Sequence, residues 1–144
     1  MSWNPFKNTD EKRVVDAIRS AEQMCSGEVR VHLDEYCKGD VVLKAQNVFK
    51  HLEMDQTNLR NGILIYVALK EKKFCILGDV GIDEKVPSDF WETTKDLMKS
   101  HFAKGQIIDG IVTGIEEAGA QLKTFFPYQD NDKDELSNDI SYGE

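Results

Sequence analysis

Residues 62–81 read GILIYVALKEKKFCILGDVG, two apolar runs separated by a charged turn. From Ile63 to Leu69 every residue is apolar. The run is far short of the ~20 residues that cross a bilayer. Bounded by Gly62 and the charged Lys70-Glu71-Lys72, it suits a central strand buried on both faces. Beyond that charged turn, Phe74, Ile76 and, more loosely, Leu77 mark the next strand. So short a link makes the two strands antiparallel neighbours. Gly78 to Glu84 reads as a glycine-punctuated acidic loop.

Working outward, residues 28–33 (EVRVHL) alternate Val29, Val31 and Leu33 with polar residues, the pattern of a half-buried strand. Between it and the central strand, Val41, Val42, Ala45, Val48, Phe49 and Leu52 recur on one side of a helix. Strand, helix and strand form a parallel unit with a right-handed crossover. An opening helix carries Val14, Ile18, Ala21 and Cys25. Asn8 or Thr9 caps it, with Glu11 at capping-box spacing from Asn8, and Gly27 suits the left-handed position at its end. Downstream, a helix starts near Pro87, buries Phe90, Trp91, Thr94, Leu97, Met98 and Phe102, and stops at Gly105. The last helix carries Ile107, Ile111, Ile115, Ala118 and Leu122. Gly110 and Gly114 share one of its faces. Each costs roughly 1 kcal/mol relative to alanine, so close packing is the reading.

The order α-β-α-β-β-α-α predicts an α/β fold, a three-layer α/β/α sandwich with a small mixed sheet flanked by helices. A short fourth strand has room in the loops. Residues 1–8 read as an arm, 9–127 as the domain and 128–144 as an acidic disordered tail. That tail, YQDNDKDELSNDISYGE, holds six acids and one lysine, and so five of the net eight negative charges.

The acidic balance disfavours nucleic acid, whose phosphates it repels, and favours cations. No leader pattern or membrane span is visible, so a cytoplasmic monomer is expected. Cys25, Cys37 and Cys75 are an odd, widely spaced set and read as small hydrophobes. His32, His51 and His101 are scattered, with no zinc-type spacing. No nucleophile elbow or phosphate loop is present.

The topology has a chemical consequence. The starts of the two parallel strands and the end of the antiparallel one share an edge of the sheet. That brings together Ser26, Gly27 and Glu28; Asp55, Thr57, Asn58 and Asn61; and Asp79, Asp83 and Glu84. Carboxylates and amides so gathered suit a hard divalent cation. The candidate metal ligands are Asp79, Asp83, Glu84, Glu28, Asp55 and Asn61. The plainer account is that they are solvated loop residues and helix caps. A weaker second site lies at the opposite edge, at Asp34, Glu35 and Asp40, where open α/β sheets place ligands.

Certain segments together resemble one family. They are Ser26-Gly27-Glu28-Val29-Arg30-Val31; Thr57 through Asn61-Gly62-Ile63-Leu64-Ile65-Tyr66-Val67-Ala68; Phe74 through Gly78-Asp79-Val80-Gly81-Ile82; and Phe102-Ala103-Lys104-Gly105 with Gly110-Ile111 and Gly114-Ile115. In order and spacing, over roughly residues 9–126, the chain resembles the TPM domain family. The resemblance implies an α/β/α sandwich, divalent-cation binding (calcium especially, with magnesium an alternative), and the acid phosphatase activity proposed for plant members. The family pattern after the third strand does not require acids where Asp79 and Asp83 stand, and this strengthens the cation reading. The expected function is therefore a soluble calcium-type binding domain without clear catalysis. The alternatives are a metal-dependent phosphatase for phosphomonoesters and a protein-interaction module with its own protein partner.

Overall fold

A computed structural model describes residues 6–128 and 136–143. The opening helix α1 spans Asn8–Met24, strand β1 Glu28–Asp34 and helix α2 Val41–His51. A single 3-10 turn at Met54–Gln56 leads to β2 (Gly62–Ala68) and β3 (Lys73–Gly78). A one-turn helix α3 (Val80–Asp83), then α4 (Glu92–Ala103), α5 (Ile107–Leu122) and a two-residue strand β4 (Ser141–Tyr142) complete the order.

The sheet runs β3-β2-β1-β4. β1 pairs in parallel with β2 and β4, and β2 pairs antiparallel with β3. The uninterrupted apolar run thus occupies the interior of the sheet, and every β2 residue is buried. Period-two alternation splits the strands between two cores. Val29, Val31, Leu33, Ile63, Ile65 and Val67 meet α1, α4 and α5 on one face. Leu64, Tyr66 and Ala68 meet Ala45, Val48 and Phe49 of α2 on the other. This is a three-layer α/β/α sandwich on a mixed sheet. No helix among the described residues is long and apolar enough to cross a membrane.

The glycines of α5 serve packing. A Cβ on Gly110 would lie 2.5 Å from Phe102 of α4, and one on Gly114 2.5 Å from the Met98 sulfur. Gly105 ends α4 at φ +77°, the left-handed region that favours glycine.

Four local expectations are corrected. The N-cap of α1 is Lys7, whose backbone N–H donates to Asp10, so the helix starts before Thr9 and uses neither predicted cap. Gly27 is not left-handed; it is small because a Cβ there would press Ile63 at 3.0 Å. The acidic loop after β3 closes into α3, because Asp79 caps it through the Val80 N–H and Ile82 tucks onto Gly78. Helix α4 begins at Glu92, not near Pro87, which instead sits in a preceding turn closed by the Phe90 N–H on its carbonyl.

The tail is the largest departure. Residues 129–135 lie outside the described residues, but 136–143 run along β1. Leu136 joins the α2-side core, while Ile140 and Tyr142 pack against the main one. The Gly143 N–H donates to the Leu33 carbonyl at 2.7 Å, and the Tyr142 hydroxyl to Glu11 at 2.7 Å. Three apolar residues spread through an acidic segment are too few for a periodic pattern. They nevertheless bury when a sheet edge is there to receive them.

Candidate functional site

At the edge where β1 and β2 begin and β3 ends, Asp79 is the organising group. It leaves β3 as the N-cap of α3, accepting the Val80 N–H at 2.8 Å on Oδ1. Arg60 donates to the same carboxylate twice, Nε to Oδ2 at 2.7 Å and Nη2 to Oδ1 at 2.9 Å. This two-pronged grip is the strongest geometry an arginine and a carboxylate can adopt. Asp79 is 5% exposed while the Arg60 side chain is 43% exposed, so the cation comes from solvent onto a buried anion. Arg60 holds a left-handed φ of +50°, uncommon for a residue with a side chain. Its carbonyl accepts the Gly81 N–H at 2.9 Å. A Cβ on Gly81 would run into the Leu59 and Arg60 carbonyl oxygens, so the two loops interlock there.

Asp83 stands one turn on and is exposed. Partial burial, and then the Asp79 charge, push its carboxyl above the ordinary range. Asp55 is held below that range chiefly by the Gln56 amide, with Arg60 and Lys50 contributing. Arg60 is thus the shared counter-ion of Asp79 and Asp55. Glu84 is exposed at the end of α3.

The other predicted ligands do structural work. Glu28 is buried and accepts the Leu136 N–H at 2.8 Å, fastening the tail. Asn61 is 2% exposed; its side-chain amide donates to the Ser26 carbonyl at 2.8 Å and its backbone N–H to the Thr57 hydroxyl at 3.2 Å. Among the described residues no group of three His, Cys, Asp or Glu side chains is arranged to hold a metal.

The opposite edge is built differently. Asp40 caps α2 by accepting the Val42 N–H at 2.8 Å. Asp34 is buried, with its Oδ1 3.0 Å from His32 Nε2 and its Oδ2 accepting the Tyr66 hydroxyl at 2.6 Å. Burial and Asp34 push the Tyr66 phenol far above its ordinary value, so it stays a donor. Lys44 approaches Asp34 at 3.9 Å. His32 and Asp34 floor an open cleft of about 860 Å³ that Glu35, Lys44, His51 and Ser141 also line. It exists because the polar face of β1 (Arg30, His32, Asp34) lies beside α2 rather than under it. The sequence reading gives His32 no role. The signal was its i,i+2 spacing to Asp34, which puts both side chains on one strand face.

A family model for the TPM domain matches residues 4–121. The chain belongs to the TPM domain family. Among solved structures, this TPM domain is similar to the NMR structure of the BA42 protein from the psychrophilic bacterium Bizionia argentinensis. The two are 47% identical with a TM-score of 0.92, covering 97% of each chain. It also shares its fold with the N-terminal domain of a protein from P. gingivalis, at 16% identity and TM-score 0.70 over 85% of this chain and 80% of that one. The N-terminal domain of the cg2496 protein from Corynebacterium glutamicum is 11% identical with a TM-score of 0.65, over 97% and 81%. No curated protein matches this chain.

Proposed function

We propose that this TPM domain binds a divalent cation of the calcium type at the sheet edge after β3. Asp79 and Asp83 are the carboxylates that would hold it, with Asp55 and Glu84 adding negative charge nearby. The observation that carries this reading is the Arg60 guanidinium gripping Asp79 beside a second, crowded carboxylate, Asp83. The edge already needs a cation and supplies one of its own. Carboxylate oxygens are the right donors for a hard ion, and they fit one once Arg60 turns back to solvent, where nearly half of its side chain already lies. Glu28 and Asn61 drop out of the ligand set, because their bonds hold the fold.

Magnesium is the alternative ion. A phosphatase would also need a grip for phosphate, and no particular contact among the described residues favours one. No particular contact favours a protein-interaction role. The test is a calcium titration of isotope-labelled protein followed by amide NMR. Saturable shifts at 55–60 and 79–84 are expected. Their absence, or shifts confined to 34–40, would overturn the proposal.

A further inference from the structure

The cleft at the other end of β1 carries a second chemistry, independent of any cation. Three polar side chains form a line there, two from β1 and one from the distant strand β4. Ser141 Oγ lies 2.9 Å from His32 Nδ1, and His32 Nε2 lies 3.0 Å from Asp34 Oδ1. His32 and Asp34 are each 7% exposed, whereas Ser141 borders the open cleft.

The proton positions follow from the partners. A carboxylate only accepts, so His32 must carry its hydrogen on Nε2. The Nδ1 lone pair is then free to accept, and the Ser141 hydroxyl donates to it. The Tyr66 hydroxyl occupies the other Asp34 oxygen, and the Tyr66 ring lies nearly parallel to the imidazole, 9° apart in plane. Both features fix the histidine in place. Burial holds the imidazole below its usual pKa, which favours the neutral ring, the form whose Nδ1 lone pair can accept a proton.

We infer that Ser141, His32 and Asp34 form a nucleophile, general base and orienting carboxylate for acyl transfer from a small ester to water. Such a trio is recognised by geometry and roles rather than by sequence order. Ser141 Oγ attacks the ester carbonyl carbon while its proton passes to His32 Nδ1. The bond to the alcohol breaks, and that alcohol leaves with the proton from Nδ1. Water then attacks the acyl-serine and gives its proton to Nδ1. The acid departs as the proton returns to Ser141 Oγ. No electrons are exchanged with any other reagent. Lys44, which lines the cleft and lies 3.9 Å from Asp34, is the cation that would offset developing negative charge on the carbonyl oxygen. Val48 and Leu52 line the wall and suit a short apolar acyl group. Asp34 is a positioning residue, acting only through His32.

The hydrogen bond from Ser141 also fastens β4 to β1, so the test must separate reactivity from docking. The full chain is treated with a fluorophosphonate probe, and adducts are located by peptide mass. Ser141 is expected to label, and the exposed serine at 137 not to. His32→Gln should slow labelling of Ser141 at least a hundredfold, the usual worth of a positioned base. The amide NMR signals of residues 140–143 show whether the strand stays docked in that variant. Hydrolysis of p-nitrophenyl acetate should fall in parallel, and Ser137→Ala should leave both rates unchanged. No adduct at Ser141 above that at Ser137 would overturn the inference. So would equal labelling rates in wild type and His32→Gln with residues 140–143 in place. If His32→Gln undocks the strand, Tyr142→Phe, which loosens the same strand without touching the trio, decides. A labelling rate that falls as far in Tyr142→Phe as in His32→Gln refutes a role for the base.

Discussion

Arg60→Gln is the perturbation that bears most directly on the cation site. The guanidinium holds both oxygens of Asp79 at 2.7 and 2.9 Å, so an incoming ion must displace it and also feel its charge. Glutamine keeps much of the length and removes the charge. The local formal charge from Asp55, Asp79 and Asp83 against Arg60 then becomes one unit more negative. Coulomb's law in a water-like dielectric, at a separation of about 5 Å, makes that worth roughly tenfold in affinity for a divalent ion. The gain should shrink as added salt screens it. Tenfold tighter binding at fixed excess calcium adds about 1.4 kcal/mol of stabilisation, or about 5 °C in Tm for a domain of this size. Without calcium the variant should melt below wild type, since the buried Asp79 loses both guanidinium bonds and, among the described residues, keeps only the Val80 N–H. Titration calorimetry gives the affinity, and circular-dichroism melts with and without calcium give the linkage. Asp83→Asn is the companion variant and should weaken binding. A folded Arg60→Gln protein that binds calcium no more tightly than wild type would show that Arg60 does not compete with the ion for Asp79.

Three further outcomes are expected. Burial depresses the His32 pKa, so the unfolded chain takes up a proton near pH 6.5 that the folded chain resists. That contribution to stability is whole above pH 6.5 and is lost as the pH falls from there towards the folded value; urea melts between pH 8 and 5 should show a loss in wild type that His32→Gln lacks. Gly119→Ala places a Cβ 2.9 Å from the Ala21 backbone, and α1 must give way. Overpacking of about 1–3 kcal/mol outweighs the ~1 kcal/mol gain in helix propensity, and chemical denaturation should report a less stable protein. Tyr142→Phe removes a 2.7 Å bond to Glu11 that pins the tail, so it should cost about 1 kcal/mol and raise amide exchange over residues 140–143.

Much of the architecture was legible in local pattern. The apolar run from Ile63 to Leu69 has only one place in a small sheet, its middle. The alternation of Val29, Val31 and Leu33 chose the core face of β1. A strand–helix–strand order left only the parallel, right-handed crossover, and the short charged link forced β3 to turn back. From these the shared edge of Asp55, Asp79 and Asp83 followed. What pattern could not decide was how each polar group is used there. Asp79 as a cap gripped by Arg60, and Glu28 and Asn61 as internal fasteners, depend on side-chain distances that no periodicity encodes.

The tail makes the same point at longer range. Ser141 and His32 are separated by 109 positions, and the bond between them exists only once β4 lies along β1. Residues 128–144 carry too few apolar groups to form structure alone. An edge strand with unpaired backbone groups and an apolar shelf gives those groups a partner. Local spacing determined the elements and their order, because burying an amphipathic face depends on a residue's own neighbours. The tertiary structure decided the chemistry, because a hydrogen bond needs two atoms within about 3 Å, wherever in the chain they begin.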